Sequence, residues 1–477
     1  MYKIDNGQIS IHEFGQPIGM KLHEDNRWVK KAMTIPWTAI EKRYAALFTN
    51  QKGNVAKPLR LGLGACIIQA EYGFSDVELT RMLQEHPYFQ YFCGYKAYDD
   101  SKPPFDPSLM VYFRKRLTPE ILCEINEMLL AAQNANESDS YDDDDSNSGT
   151  MIVDATCAPS QIKYPQDTAL LNEARENTEA LIDALHTPGE KKPRTYRKRA
   201  HNDYLALVRT RKPNKKKIRK AIGQQLRYLR RNLKSIDASL ADGGQLTPRQ
   251  QLRLDTIRKV FEQQKAMFDA RSHRVDDRIV SLSQPWLRPI VRGKAKAAVE
   301  FGAKLDISVV NGWTRLEVLS FDAYHEGKGL TEMLERYRER NGRYPARVLA
   351  DKIYRNRENL AYCKERGVRL SGPALGRPKK DVLPDKKQNY IDECERVEVE
   401  RRFSLAKRKC GLGLITARLQ ETACHCIAMS ILVLNLSKIR CAFCALWCRF
   451  LAMLCGRENL VFVQWTLDSR KETGQKG

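Results

Sequence analysis

Apolar residues recur along this chain with two different periods, and the switch between them divides it. From Pro58 to Glu71 the residues Leu59, Leu61, Leu63, Cys66, Ile67 and Ile68 suit a buried helix, and Gly73 ends it. Ser75 with Glu78 three positions on forms a capping box for the next helix, whose buried face would be Val77, Leu79 and Met82. Further helices are predicted from Pro107 to Arg116, and from Thr118-Pro119-Glu120 onward through Ile121, Ile125, Leu129 and Leu130. Residues 1–133 therefore read as an all-helical N-terminal domain. Two short helices about a Gly turn are compatible with helix-turn-helix DNA binding and also with a plain bundle. The aromatic cluster Tyr88, Phe89, Tyr91, Phe92 and Tyr95 could stack on unpaired bases or simply be core.

After residue 150 the period shortens. Met151-Ile152-Val153 is a short apolar strand with Asp154 near its end, and Arg347-Val348-Leu349-Ala350 is a second that delivers Asp351. Between them Phe301 to Val310 and Trp313 to Phe321 alternate like strands around Asn311-Gly312, a hairpin-turn signal, and Leu330 to Arg340 is helical. Ile218, Ile222, Leu226, Leu229, Leu233, Ile236 and Leu240 are spaced by 4, 4, 3, 4, 3 and 4, a helical seam broken by Gly243-Gly244. Thr247-Pro248 caps a successor carrying Leu254, Ile257, Phe261 and Phe268, so a helical hairpin or short coiled coil is predicted at about 190–280. The order strand, helical insertion, strand, strand, helix, strand defines a mixed α/β domain.

Charge changes this picture more than composition does. At 477 residues and 42% hydrophobic, the chain is long enough for two to four domains with substantial cores. Its net charge is +23, and the 44 residues from Lys191 to Lys234 hold 18 Lys/Arg against one acid, Asp203. Such a concentration attracts a polyanion through counterion release, which makes nucleic acid the expected partner; a solvated basic helix is the plain alternative. Lys215, Lys216, Lys217, Arg230 and Arg231 are the candidate phosphate contacts within it. Just upstream, residues 134–149 carry six acids and little that is apolar, and read as a flexible linker.

The remaining signals mostly exclude. No leader with a basic then apolar pattern and no run of eighteen uncharged apolar residues occurs, so a soluble, intracellular protein is expected, with no membrane span. Thirteen scattered Cys fit reduced thiols. Cys441-x2-Cys444 has a zinc spacing, but its apolar surroundings, shared by His425, favour small residues of a buried helix. Gly411-x-Gly413 lacks the strand-glycine-helix context of a nucleotide loop.

Candidate chemistry rests on acids held by ordered elements: Asp154, Asp351 and a helix from Arg396 to Lys407. At about 100° per residue Arg396, Glu400 and Lys407 share one helix face, with Glu398 on the opposite side. Alone, this helix could be a surface ion-pair ladder. Three carboxylates from separate elements are what two hard divalent ions require, and nearby cations would then orient a phosphodiester.

Four stretches, MIVDATCAPSQIKYPQDTALLNEARE, RPIVRGKAKAAVEFGAKL, VLADKIYRNRENLAYCKERGVRLSGPALGRP and VEVERRFSLAKRKCGLGLI, resemble the DDE transposases of bacterial insertion sequences, in the insertion-sequence-five-like superfamily. FDPSLMVYFRKRL extends the resemblance into the N-terminal helices, and it continues to about residue 437. It implies an RNase H-like mixed-sheet core over residues 150–437 with a helical insertion after the first strand, and leaves the Cys-rich residues 438–477 without a role. It also implies that Asp154, Asp351 and Glu400 are the catalytic metal ligands, with Asp306 and Asp322 in reserve, and that Arg396 and Lys407 contact DNA. The tyrosine of the family's Tyr-x2-Arg-x3-Glu-x6-Lys signature is replaced here by Glu393, with Tyr390 nearby. The implied cofactor is a pair of Mg²⁺ ions, with Mn²⁺ as substitute. The implied partners are double-stranded DNA, both transposon ends and target, and a second copy of the chain in a synaptic complex. The implied activity is cleavage at element ends followed by strand transfer. A nuclease without strand transfer and a catalytically inactive DNA-binding derivative are the alternatives.

Overall fold

A computed structural model describes residues 2–3, 9–16, 20–48, 55–134, 147–187, 189, 192–291, 299–372 and 386–454. Residues 135–146 of the expected acidic linker lie outside them, as do Cys455 and the side chains of Cys441, Cys444 and Cys448.

Seven helices precede the sheet: α1 (Arg27–Thr34), α2 (Trp37–Ala45), α3 (Leu59–Tyr72), α4 (Asp76–Glu85), α5 (Pro87–Phe92), α6 (Leu109–Arg116) and α7 (Pro119–Asn134). Helix α3 is buried on nearly every side, as its near-continuous apolar run requires, and Gly73 ends it in the left-handed conformation, φ 73°. The Ser75–Glu78 capping box forms in both directions at the start of α4. Its buried face is Leu79, Thr80 and Leu83, whereas Val77 is exposed and Met82 half-buried, so the predicted face was rotated. Phe89, Tyr91 and Phe92 are core, with Phe89 and Phe92 packed edge-on against Trp28, so they present no stacking platform to bases.

The sheet runs in the order β4–β3–β1–β5–β6, with a short β2 (Arg288–Val291) also paired to β3. Strand β1 (Thr150–Pro159) is central; it lies antiparallel to β3 (Val299–Val310) and parallel to β5 (Arg347–Ala350). Strands β3 and β4 (Trp313–Ser320) form the predicted hairpin, with Asn311 at φ 51° and Gly312 at φ 73°, the two positive angles of a tight primed turn. The β1–β3 pair closes tightly at Gly302, where a Cβ would sit 2.0 Å from Ala158 O. Helix α12 (Leu330–Asn341) crosses one face, α13 (Arg357–Glu365) joins β5 to β6 (Arg369–Leu370), and α14 (Lys386–Lys409) lies against the other face. This is an RNase H-like mixed sheet; β2 and β6 are additions to the predicted strands.

Between β1 and β2 the chain leaves the sheet as four helices, α8 (Asp167–Leu185), α9 (Arg197–Val208), α10 (Lys215–Ala241) and α11 (Pro248–Asp269). The seam of α10 is buried as its spacing predicts, at Leu226, Leu229, Leu233 and Ile236. Helix α11 is its hairpin partner, but α8 supplies Leu170, Leu171, Ala174, Leu181 and Ile182 to the same core. The helical layer thus begins at Asp167, before the predicted start, because a two-helix hairpin alone leaves one side of α10 in water.

Helix α15 (Gln420–Leu454) is the last element, and residues Ala423 to Leu436 are almost continuously buried. One hydrophobic core runs from the N-terminal helices through α15 to the α14 face of the sheet. At its centre Asn435, wholly buried, accepts from Thr314 N at 3.0 Å and donates to Thr314 O and Asn126 Oδ1, both at 2.7 Å. The acidic stretch therefore interrupts the sequence without interrupting the packing.

Candidate active site

The parallel register of β1 and β5 places Val153 opposite Ala350. Each strand's next residue is an aspartate, so Asp154, midway along β1, and Asp351, just past the end of β5, come side by side where the parallel pairing ends. Side chains alternate along a strand, so Asp154 shares its face with Ile152 and Asp351 with Leu349, the face that packs toward Val399 of α14. Asp154 Oδ1 accepts from Ala155 N at 2.8 Å, and Asp351 Oδ1 accepts from Lys352 N at 2.7 Å, capping a 3₁₀ turn over Lys352–Tyr354. Burial pushes the Asp154 carboxyl up to about 6, with Asp351 and Glu326 adding to the effect and the Ala155 amide and Arg396 guanidinium opposing it. A carboxylate carrying that load is one that a bound cation would relieve.

Helix α14 is fixed on this face by ion pairs in its N-terminal half and by a buried inner stripe. Asp392, nearly buried, accepts from Arg369 at 2.7 Å and is paired with Arg347 at 3.4 Å, and Arg347 also reaches Glu395 at 2.6 Å. Val399 and Ala406 bury the inner stripe. Arg396 comes close enough to Asp154 to stabilise its charge and pairs with Glu400 at 3.9 Å. Glu398 turns away to Arg402 at 2.6 Å, as the helical wheel predicts. Tyr390 is 69% exposed and engages Cys394, about 120° around the helix from Arg396, so it does not stand in for the missing tyrosine. Glu393 is exposed.

The two aspartates are thus brought together, while Glu400, 60% exposed, is linked to them only through its 3.9 Å pairing with Arg396. Among the described residues no three Asp, Glu, His or Cys side chains converge closely enough to hold an ion. The Asp154–Asp351 pair offers hard oxygen donors that suit a divalent cation; the third carboxylate is not closed onto it.

Of the reserve acids, Asp322 is exposed and lies 3.7 Å from Arg288. Asp306 is fully buried on β3 opposite Ala155, accepts from Tyr324 Oη at 2.6 Å, and leaves Oδ2 without a partner. Burial pushes it up to about 6, the Tyr324 hydroxyl works against this, and Glu326 and Asp154 add to it. Glu326, which pairs with Lys304 at 2.8 Å, was not legible from sequence, because it follows the strand hairpin in a segment without periodicity.

The basic residues of the insertion divide into two kinds. Lys215, Lys216 and Lys217 are exposed in the first turn of α10, capped by Asn214, and there they oppose the helix dipole. Arg230 is also exposed, 6.0 Å from the Phe261 ring centre. Arg231 is half-buried over Tyr196 at 4.2 Å and Tyr228 at 5.4 Å, so part of its role is to hold α9 and α10 together. Lys407 lies half-buried in a cleft beyond Glu400. His425 is buried, and because its Nδ1 lies 2.7 Å from a carbonyl, Leu117 O, that nitrogen carries the proton.

Parts of the chain match known families of proteins. Residues 348–437, from β5 through most of the described α15 side chains, match the transposase DDE domain family, and residues 17–116 match the transposase domain family DUF772. An uncharacterized protein, ORF8 in the nfe locus of Rhizobium meliloti, is 30% identical over 146 residues, 31% of this chain and 68% of that protein. No solved structure matches. The RNase H-like mixed sheet and the two family matches together define a transposase of the DDE class. The chain belongs to the DDE transposases of insertion sequences. No helix among the described residues is long and apolar enough to cross a membrane.

Proposed function

We propose that this transposase cuts the phosphodiester at each end of its element and joins the released 3′-hydroxyl to target DNA, with Asp154, Asp351 and Glu400 holding two divalent ions. The side-by-side emergence of Asp154 and Asp351 from adjacent parallel strands carries this reading. Bound Mg²⁺ or Mn²⁺ would supply Lewis-acid activation of water and neutralise charge developing on the phosphoryl oxygens. Asp154 and Asp351 would hold the ions from the sheet, where backbone N–H groups fix both carboxylates in place, and Glu400 would contribute from α14. Arg396 lies between the sheet pair and Glu400, positioned to exchange its carboxylate neighbours for a phosphate oxygen. Both reaction steps are in-line phosphoryl transfers that need positioned oxygens and charge, and no covalent protein nucleophile.

The DNA would be held by Lys215, Lys216, Lys217, Arg230 and Arg231 of the insertion, with Arg231 also stacked over Tyr196 and Tyr228, and by Lys407 on α14. Two ends must be synapsed, so a dimer is the proposed working form. The reading is tested with supercoiled plasmid carrying the DNA that flanks the gene. Mg²⁺-dependent nicking at the gene's borders, followed by joining to a second plasmid, is expected; nicking without joining would favour a plain nuclease, and binding without nicking an inactive derivative.

A further inference from the structure

Two octahedral ions call for more charged oxygen than a pair of aspartates supplies, and Glu400 stands off from that pair behind Arg396. Another acid approaches from the α12 side. Glu326 opens a 3₁₀ turn over Glu326–Lys328, directly ahead of α12, and this turn packs on the turn that Asp351 caps. The contact is tight enough that a Cβ on Gly327 would collide with Ile353 O. Buried Asn359 laces the two turns together, donating to Gly327 O at 2.6 Å and to Tyr354 O at 2.8 Å, and Asn356 donates to Gly327 O at 3.2 Å. Glu326 is thereby held beside the end of β5, and among carboxylates it stands next to Asp351 in its effect on the charge of Asp154.

The surroundings of Glu326 suit a cation. Asp306 Oδ2 and Tyr354 Oη belong to two side chains with no exposed surface, and neither atom has a hydrogen-bond partner among the described residues. Burial raises both the Asp306 carboxyl and the Tyr354 phenol, and the charge of Glu326 adds to each. Carboxylate and phenol oxygens are hard donors, to an ion or to the water that it carries. Lys304 answers these acids, pairing with Glu326 at 2.8 Å. It also donates to Tyr324 O at 2.8 Å and lies 4.6 Å from the Tyr324 ring centre, so it keeps partners when Glu326 leaves it.

We infer that Glu326 is a further ion-holding carboxylate of this active site, contributing beside Asp154 from the α12 side as Glu400 does from α14. The inference rests on the proposed placement of divalent ions at Asp154 and Asp351. Ion binding would exchange the Lys304 ammonium on Glu326 for the metal.

The test titrates Mn²⁺ into the full-length protein and follows the free ion by electron paramagnetic resonance, so that cleavage does not enter the result. Glu326→Gln should bind Mn²⁺ roughly tenfold more weakly than the unaltered protein. Lys304→Gln removes the same ion pair but keeps the carboxylate, and should bind at least as tightly as the unaltered protein. A merely structural Lys304–Glu326 pair would instead cost both variants equally. That equal loss, or Glu326→Gln staying within about twofold of the unaltered protein, overturns the inference. If Glu326→Gln does not fold, Lys304→Gln decides alone: equal or tighter binding supports the inference, and weaker binding overturns it. Asp154→Asn is the reference. Full Mn²⁺ binding by that variant, or none by the unaltered protein, would overturn the functional reading itself.

Discussion

At the scale of single residues, the carboxylates of Asp154 and Asp351 are each held in direction by the amide of the residue that follows. Asp154 and Asp351 were legible because a short apolar run followed by an aspartate reads as a strand delivering a carboxylate. Their adjacency was not legible, since it depends on β1 pairing with β5 in parallel across almost two hundred residues. Glu400 was placed correctly on the face of Arg396, yet its separation from the aspartates is set by how α14 is clamped through Asp392, which no local pattern encodes. His425 gives the clearest pH dependence. Burial lowers its folded value to about 4, from about 6.5 when unfolded, so between those limits the unfolded chain binds more protons and stability falls as pH falls. Urea denaturation should find the protein weaker at pH 4.5 than at pH 7, with His425 contributing up to about 3 kcal/mol of that loss. In His425→Gln the difference should shrink accordingly; an unchanged difference would mean that His425 already titrates normally in the fold.

At the scale of elements, local rules worked wherever a cap, a turn or a period decides the outcome. The Ser75 box, the Asn311-Gly312 hairpin and the α10 seam all formed as their residues dictate. They failed where packing decides. The buried face of α4 was rotated, and α8 was overlooked although Leu170, Ala174, Leu181 and Ile182 fit a helical stripe. The β1–β3 pair gives a sharp packing test: Gly302→Ala places a Cβ against Ala158 O and should cost about 3 kcal/mol, measured by chemical denaturation. A neutral result would show that the two strands can separate at that point. On α10, Lys215→Gln/Lys216→Gln/Lys217→Gln should weaken DNA binding uniformly across sequences and lower the salt slope by about three, with thermal stability unchanged or raised because the dipole conflict is removed. Undiminished binding in this variant would assign α10 a purely structural role.

At the scale of the whole molecule, the helices before the acidic stretch and those after the sheet are one packed body. Asn435, Asn126 and Thr314 tie α15, α7 and β4 together in a buried, mutually satisfied network. Asn435→Leu takes the buried partner from Thr314 N and Asn126 Oδ1, while Asn126 Nδ2 still donates to Thr314 O at 3.3 Å, and a loss of about 3 kcal/mol is expected. Calorimetry should show a single unfolding transition in the unaltered protein; two well-separated transitions would mean that the N-terminal helices are an independent domain. The central claim, however, concerns chemistry: carboxylates from β1, β5 and α14 act on DNA as one site. It is tested most directly by measuring Mg²⁺-dependent cleavage of the flanking DNA by Asp154→Asn, Asp351→Asn and Glu400→Gln beside the unaltered protein, with DNA affinity determined in parallel. The account predicts that each substitution lowers cleavage by at least about a thousandfold, roughly 4 kcal/mol in the barrier, while affinity changes little. Cleavage surviving in any one of the three would contradict it.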